Sequence, residues 1–199
     1  MRVIGGRAKG RRLAAFKGSD IRPTLDRVKE SFVNQVRPFI QGASVLDLFA
    51  GTGNIGIELL SQGAVRAVFV EPDARAADLV RGNLEKCGFG KGAADGGGLE
   101  WEVLRTNALN AIRLLDKRGL SFDLVYIDPP FDEDLYEETL LALSGSGLLG
   151  VDSMAVAEHR RKNPLREIYG KLALFKSRRV GDTCLSFYGP GCSGDSSGS

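Results

Sequence analysis

Phe122-Asp123-Leu124-Val125-Tyr126-Ile127-Asp128-Pro129-Pro130-Phe131 is an apolar, β-branched run cut off by two prolines. Proline can neither donate to a ladder nor continue one, so the run reads as a buried strand ending at Asp128. The carboxylate then stands at a strand's carboxyl end. In an open α/β sheet ligands bind along that edge, where strand tips and the loops beyond them line a crevice. A residue before proline is held extended, so Asp128 and the Pro129 carbonyl form two acceptors on a stiff corner. Such a pair suits a planar exocyclic amine. It accepts both N–H bonds and frees a nitrogen lone pair otherwise delocalised into an aromatic ring, while Phe131 offers a face for stacking. A plainer reading makes Asp128 the cap of the next helix after a Pro-Pro turn.

Upstream, Ser44-Val45-Leu46-Asp47-Leu48-Phe49 reads as the first core strand, running into Gly51-Thr52-Gly53-Asn54-Ile55-Gly56 and a helix through Ile57, Leu59 and Leu60. This G-x-G-x-x-G after a strand is formally a dinucleotide fingerprint, and Glu71, at the end of Ala67-Val68-Phe69-Val70, stands where an acid binds ribose hydroxyls. Asp47 argues against a pyrophosphate here, because no cation offsets its charge. S-adenosylmethionine has no phosphate and brings an ammonium and a sulfonium that an acidic strand tip attracts. The glycines then permit close approach of the donor. Pro72-Asp73 opens a helix through Ala76, Leu79, Val80 and Leu84 that stops near Gly88, and residues 90–98 read as a glycine-rich surface loop. Trp101 to Leu104 is a third strand. Asn107 and Ala108 follow it, where Asn107 either contacts an adenine ring or caps the helix of Ile112, Leu114 and Leu115.

Beyond the central run, Glu133 to Leu143 reads as a helix and Met154 to Glu158 as a strand. Leu172–Lys176 and Thr183–Tyr188 read as a closing hairpin, whose Arg178 and Arg179 add a basic spot. At the other end, Arg2-Val3-Ile4 and Leu13-Ala14-Ala15-Phe16 flank Gly5-Gly6 and Gly10, the pattern of a small hairpin carrying cations. A helix follows Pro23, with Thr24 as N-cap, Asp26 in its first turn and Leu25, Val28, Phe32 and Val36 on one face. Pro38 ends it. Arg22 and Thr24 at that helix start suit a phosphate or a carboxylate.

The chain of 199 residues holds one domain's worth of core, and 43% hydrophobic with 26% charged residues is the balance of a globular protein. No apolar run is long enough to span a bilayer and no secretion-type start is present, so a cytoplasmic location is expected. Cys87, Cys184, Cys192 and the lone His159 lack metal-ligand or nucleophile spacing, so no metal is expected. The net charge of +2 conceals an asymmetry: residues 1–37 carry +7 and the remainder −5. Cations gathered at one end point to a polyanionic partner reached by that end. The alternative is a solvated basic tail.

Asp128-Pro129-Pro130-Phe131 together with Asp47-Leu48-Phe49-Ala50-Gly51-Thr52-Gly53 resembles the S-adenosylmethionine-dependent amino methyltransferases of adenine N6 and guanine N2. The opening Met1-Arg2-Val3-Ile4-Gly5-Gly6, with Arg22-Pro23-Thr24 and Arg27-Val28-Lys29-Glu30, is similar to bacterial 16S rRNA guanine-N2 methyltransferases of the RsmD type, a likeness running from Met1 to about Tyr188. The resemblance implies a Rossmann-like class I methyltransferase fold: α/β, with a mostly parallel seven-stranded doubly wound sheet and an antiparallel C-terminal hairpin. It implies Asp128, Pro129, Pro130 and Phe131 as catalytic. For S-adenosylmethionine it implies Asp47, Phe49, Gly51, Thr52, Gly53, Glu71, Asn107 and Ala108. A basic N-terminal extension over residues 1–37 is expected to contact RNA through Arg2, Arg7, Lys9, Arg11, Arg12, Arg22, Thr24 and Arg27. Residues 38–188 form the expected core and 189–199 a disordered tail. The implied partner is 16S rRNA, within the small ribosomal subunit or its assembly intermediate, bound by a monomer. An adenine-N6 DNA methyltransferase is the nearer alternative, and a non-catalytic RNA-binding or nicotinamide-dependent protein the more distant.

Overall fold

A computed structural model of the chain describes residues 1–15, 23–90, 99–130 and 133–191. Five parallel strands, β1 (Ser44–Asp47), β2 (Arg66–Val70), β3 (Glu100–Leu104), β4 (Phe122–Ile127) and β5 (Leu149–Arg160), form one sheet with three antiparallel strands, β6 (Ile168–Tyr169), β7 (Leu172–Val180) and β8 (Thr183–Pro190). Their order is β3-β2-β1-β4-β5-β8-β7-β6. The helices are α1 (Pro23–Val36), α2 (Asn54–Ser61), α3 (Ala74–Lys86), α4 (Ala108–Lys117) and α5 (Glu133–Ser144).

The two faces of the sheet follow from alternation along the buried strands. Leu124 and Tyr126 of β4 and Met154 and Val156 of β5 enter a core with Phe32, Val36, Ile57, Val80 and Leu84. Val125, Ile127, Ala155 and Ala157 point the other way, into a core with Ile112, Leu115, Leu140 and Leu143. Both faces of each strand are therefore apolar, which is why these runs lack the polar alternation of a one-sided sheet. The strand order reverses between β1 and β4, and there the chains leaving the two strands diverge and open a crevice.

The doubly wound parallel sheet with an antiparallel hairpin agrees with the expectation, with adjustments at particular elements. The sheet has eight strands rather than seven. β6 is only two residues, held by Leu172 and Ala173 of β7, too short to leave a periodic pattern. β5 begins at Leu149 instead of Met154, because its first half (Gly150, Val151, Asp152, Ser153) is exposed or half-exposed and carries no apolar run. β8 continues through Pro190, so residues 189 and 190 are sheet rather than tail; residues 192–199 lie outside the described residues. The helix after Pro23 starts with that proline, where a missing N–H costs nothing, one residue ahead of the expected N-cap Thr24.

The N-terminal segment forms the expected hairpin, with a bridge between Arg2 and Arg12 and bonds from the Val3 amide to the Arg11 carbonyl and from the Gly10 amide to the Val3 carbonyl. It is no solvated tail: Val3, Ala8 and Leu13 are buried. α2 holds it. The Glu58 carboxylate, itself fully buried, accepts the Ile4 and Gly5 amides at 2.8 Å each and pairs with Lys29 Nζ at 3.2 Å. Lys29 also donates to the Arg2 carbonyl at 2.6 Å and Asn54 Oδ1 at 2.9 Å. Gly6 lies so close that a Cβ there would sit 1.7 Å from the Ser61 carbonyl oxygen. Asn83 of α3 completes the clasp, exchanging bonds with both the amide and the carbonyl of Ala14. Lys29 is thus withdrawn from the basic surface into the core. Among the described residues, no helix is long and apolar enough to cross a membrane.

Candidate active site

Four neighbouring parallel strands each run into an acid at or just beyond the carboxyl end: Asp47 at β1, Glu71 after β2, Asp128 after β4 and Glu158 near the end of β5. Register sets their depths. Asp47 is level with Tyr126, two residues short of Asp128, and sits 2% exposed beneath the crevice. Its Oδ2 accepts the Gly56 amide at 3.1 Å, serving the start of α2, where the N-cap Gly53 has no side chain to do so. Burial pushes the Asp47 carboxyl up to about 7, and the Glu71 charge adds to this against the bonds from the Gly56 and Phe49 amides. Gly56 packs so tightly on β2 that a Cβ would meet Phe69 Cε1 at 2.3 Å, which explains the last glycine of the motif.

The acid beyond β2 braces the loop from the other side. Glu71 Oε2 accepts the Gly51 amide and Oε1 the Asp73 amide, both at 2.9 Å. Each oxygen keeps a further lone pair. Asp73 and Asn107 cap α3 and α4, their side-chain oxygens accepting the Ala76 and Asn110 amides at 2.9 Å. Of the two readings left open for Asn107, the cap is realised, and it leaves the amide N–H groups of that side chain unused.

A cleft of about 1710 Å³ spans the switch point. Its walls include Phe49, Gly51, Glu71, Asn107 and Ala108 on the β1–β2–β3 side, and Asp128, Pro129, Pro130, Tyr136 and Glu158 on the β4–β5 side. Drug-sized pockets run to about 1,000 Å³, so this volume admits two partners side by side. The structure does not bring Asp47, Thr52 and Gly53 to the wall. Asp47 lies underneath, Thr52 Oγ1 faces Met1 Sδ at 3.6 Å, and Gly53 turns the chain into α2 with φ +76°. Phe131, Arg22 and the side chain of Thr24 lie outside the described residues. Arg2, Arg7, Lys9, Arg11, Arg12 and Arg27 are exposed on the extension and α1, away from the cleft wall, with the Arg7 guanidinium 4.4 Å from the centre of the Phe89 ring.

Two features of the wall escaped the sequence reading. Glu158 is one; its Oε2 accepts the hydroxyl of Tyr126, a fully buried side chain packed at 4.7 Å from the Phe32 ring, and its carbonyl accepts the Tyr136 hydroxyl at 2.6 Å. Desolvation, then the Glu158 and Asp47 carboxylates, push the Asp128 carboxyl up, although its side chain opens to the cleft, where water tempers the first effect. Desolvation likewise raises Glu158, against the bond from Tyr126. The second feature is the basic run formed by Arg160, the last residue of β5, with Arg161 and Lys162 after it. His159, also on the wall, is buried with Nε2 at 2.9 Å from Ser186 Oγ and Nδ1 near two carbonyls, a bonded core side chain. A strand ending in an acid was the one available signal for Glu158, and it points to a site only when its neighbours end the same way.

Residues 1–189 match the family described as "Conserved hypothetical protein 95". The chain belongs to this family. It is the RsmD family already suggested by Met1–Gly6 and Asp128–Phe131. A Bacillus subtilis (strain 168) relative carrying a provisional rRNA methyltransferase name, YlbH, is 37% identical over 94% of this chain and 98% of its own length. The "Ribosomal RNA small subunit methyltransferase D" of Escherichia coli (strain K12) is 31% identical over 98% of this chain and 93% of its own length. The solved structure of the Escherichia coli protein yhhF superimposes with a TM-score of 0.80 at 28% identity, covering 96% of this chain and 98% of that one.

Proposed function

We propose that this RsmD-family protein methylates the exocyclic N2 amine of a guanine in 16S ribosomal RNA. The observation that carries the reading is the meeting, in one cleft, of the Asp128-Pro129-Pro130 corner with the wall formed by Phe49, Gly51, Glu71 and Asn107. That wall fits S-adenosylmethionine: a Cβ on Gly51 would meet nothing within 4 Å, the Glu71 oxygens retain lone pairs for ribose hydroxyls, and the side-chain N–H groups of Asn107 are unused and would serve the ring acceptors of an adenine. S-adenosylmethionine supplies an electrophilic methyl on its sulfonium. Glu71, on the cleft wall, sets a negative potential beside that cation.

On the opposite side, Asp128 and the Pro129 carbonyl accept the two amine hydrogens, aim the nitrogen lone pair across the cleft and stabilise the positive charge that grows on nitrogen as the N–C bond forms. One proton leaves the nitrogen for water of the cleft, directly or by way of Asp128, and S-adenosylhomocysteine and N2-methylguanine result. Holding the two reactants in line is the main device; effective molarities show that it supplies about 7–11 kcal/mol. The base reaches the corner unstacked, at a cost of a few kcal/mol that is smallest in loop RNA. The extension, residues 1–37, serves as the RNA-contacting part through Arg2, Arg7, Lys9, Arg11, Arg12, Arg22 and Arg27, with 38–188 as the catalytic core. Phe131 stacks on the base. The protein acts in the cytoplasm as a monomer on the small subunit or its assembly intermediate, where a folded particle presents one guanine out of many.

Labelled methyl transfer to unmodified small ribosomal particles, protein-free rRNA and DNA, followed by nucleoside analysis, tests the reading. N2-methylguanosine from the particles is expected. N6-methyladenine from DNA overturns the substrate, and no transfer to any of the three overturns the activity.

A further inference from the structure

β4 and β5 are parallel neighbours in register Tyr126 to Val156 and Ile127 to Ala157, which places Asp128 and Glu158 on adjacent strand ends facing one cleft. Glu158 is half-buried and oriented. Its Oε2 takes the hydroxyl of Tyr126, whose ring is locked between strands and Phe32, and its main chain is pinned by the Tyr136 hydroxyl. The Tyr126 bond favours the ionised carboxylate against the desolvation that raises it, and it engages one oxygen of a side chain that lines the cleft.

Guanine presents its N1–H immediately beside the N2 amine. Adenine presents beside its N6 amine the lone pair of N1. With the amine seated on Asp128 and the Pro129 carbonyl, whatever group follows on the base edge meets the next acceptor along the strand ends. We propose that Glu158 is the specificity-determining residue of this site, accepting the N1–H of the target guanine and rejecting adenine by setting a carboxylate against a ring lone pair. A row of acceptors on the protein is thereby matched to a row of N–H donors on the base. The inference rests on the methyl-transfer reading above and adds to it the means of choosing the base.

The test compares small ribosomal particles whose rRNA carries guanine or 2-aminopurine at the methylated position. 2-Aminopurine keeps the amine, replaces N1–H by a lone pair and lacks O6, so it is the comparison of wild type with Glu158→Gln that isolates the N1 contact. Wild-type kcat/KM should favour guanine by about 10- to 100-fold, the scale of a site left with an unmatched polar group. Glu158→Gln can donate through its amide, so the preference should collapse to within a few-fold or invert, while titrated S-adenosylmethionine binding stays unchanged and reports an intact fold. A preference that persists in the variant overturns the role of Glu158, and so does an absence of preference in the wild type, which requires no variant. Wild-type protein that yields no N2-methylguanosine overturns the underlying reading, and this inference with it.

Discussion

Two aspartates of the same sequence type have opposite surroundings here. Asp128 opens to the cleft on a proline-stiffened corner, whereas Asp47 lies beneath it on the Gly56 amide. Under the proposed function Asp128→Ala removes one of the two acceptors for the amine, so kcat should fall about 100- to 1,000-fold, the scale of deleting one preorganised polar group. S-adenosylmethionine binding should persist; residual transfer within ten-fold of wild type would remove Asp128 from its role. Asp47 makes itself felt through stability. Its carboxyl is raised from 3.8 to about 7 on folding, so the folded protein holds that proton over a range where the unfolded chain has lost it. The stabilisation is present below the unfolded value and lost as pH rises through about 7, an effect of order a few kcal/mol. Asp47→Asn carries no titrating proton. Its denaturation midpoint should therefore fall less than that of wild type between pH 4 and 8, and parallel pH profiles would show that Asp47 does not titrate there.

α2 works at both ends. Its first turn takes Asp47 and carries the loop that lines the donor side, and its body presents Glu58 and Ser61 to the N-terminal hairpin. Glu58 is fully buried and used by two backbone amides, Gln62 and Lys29, so removing it strands a buried ammonium. Glu58→Ala should cost about 3–5 kcal/mol and free residues 1–15. Urea denaturation reads the first effect and limited proteolysis the second; an equally protected hairpin in the variant would mean that Val3, Ala8 and Leu13 alone hold it. β7, by contrast, is exposed along most of its length, and its Lys176, Arg178 and Arg179 meet solvent.

Across the whole molecule, charge and cleft are arranged for a large anionic substrate carrying a small reactive group. Cations crowd the N-terminal end of the chain, while at the cleft acidic strand ends share the wall with Arg160, Arg161 and Lys162. Under the proposed function the extension would supply affinity and the cleft chemistry. Reversing Arg7, Arg11 and Arg12 to Glu should weaken RNA binding and reduce the slope of log K against log salt by roughly 2, at about 0.7 for each lost phosphate contact with single strands. Methyl transfer at saturating RNA should change little. An unaltered slope would leave these side chains as solvation alone.

The central strands, the glycine loop and the Asp-Pro-Pro corner were legible in the chain because each is a local pattern. A buried parallel strand must be apolar on both faces, a close helix–strand approach excludes a side chain at Gly56, and Pro129 and Pro130 stop a ladder wherever they fall. The likeness of Met1–Gly6 and Asp128–Phe131 to the RsmD type added the family, and the match over residues 1–189 agrees with it. Other features depend on which strands become neighbours. Asp47 and Asp128 look alike in sequence, yet β1 is level with Tyr126, so one acid is buried while the other opens to the cleft. No local pattern marks Glu58 or Lys29 as buried; the hairpin closing over them makes them so. Glu158 ends an unremarkable apolar strand, and only the pairing of β5 with β4 sets it beside Asp128. Burial and long-range partners arise from packing between segments far apart in the chain, and no local period records them.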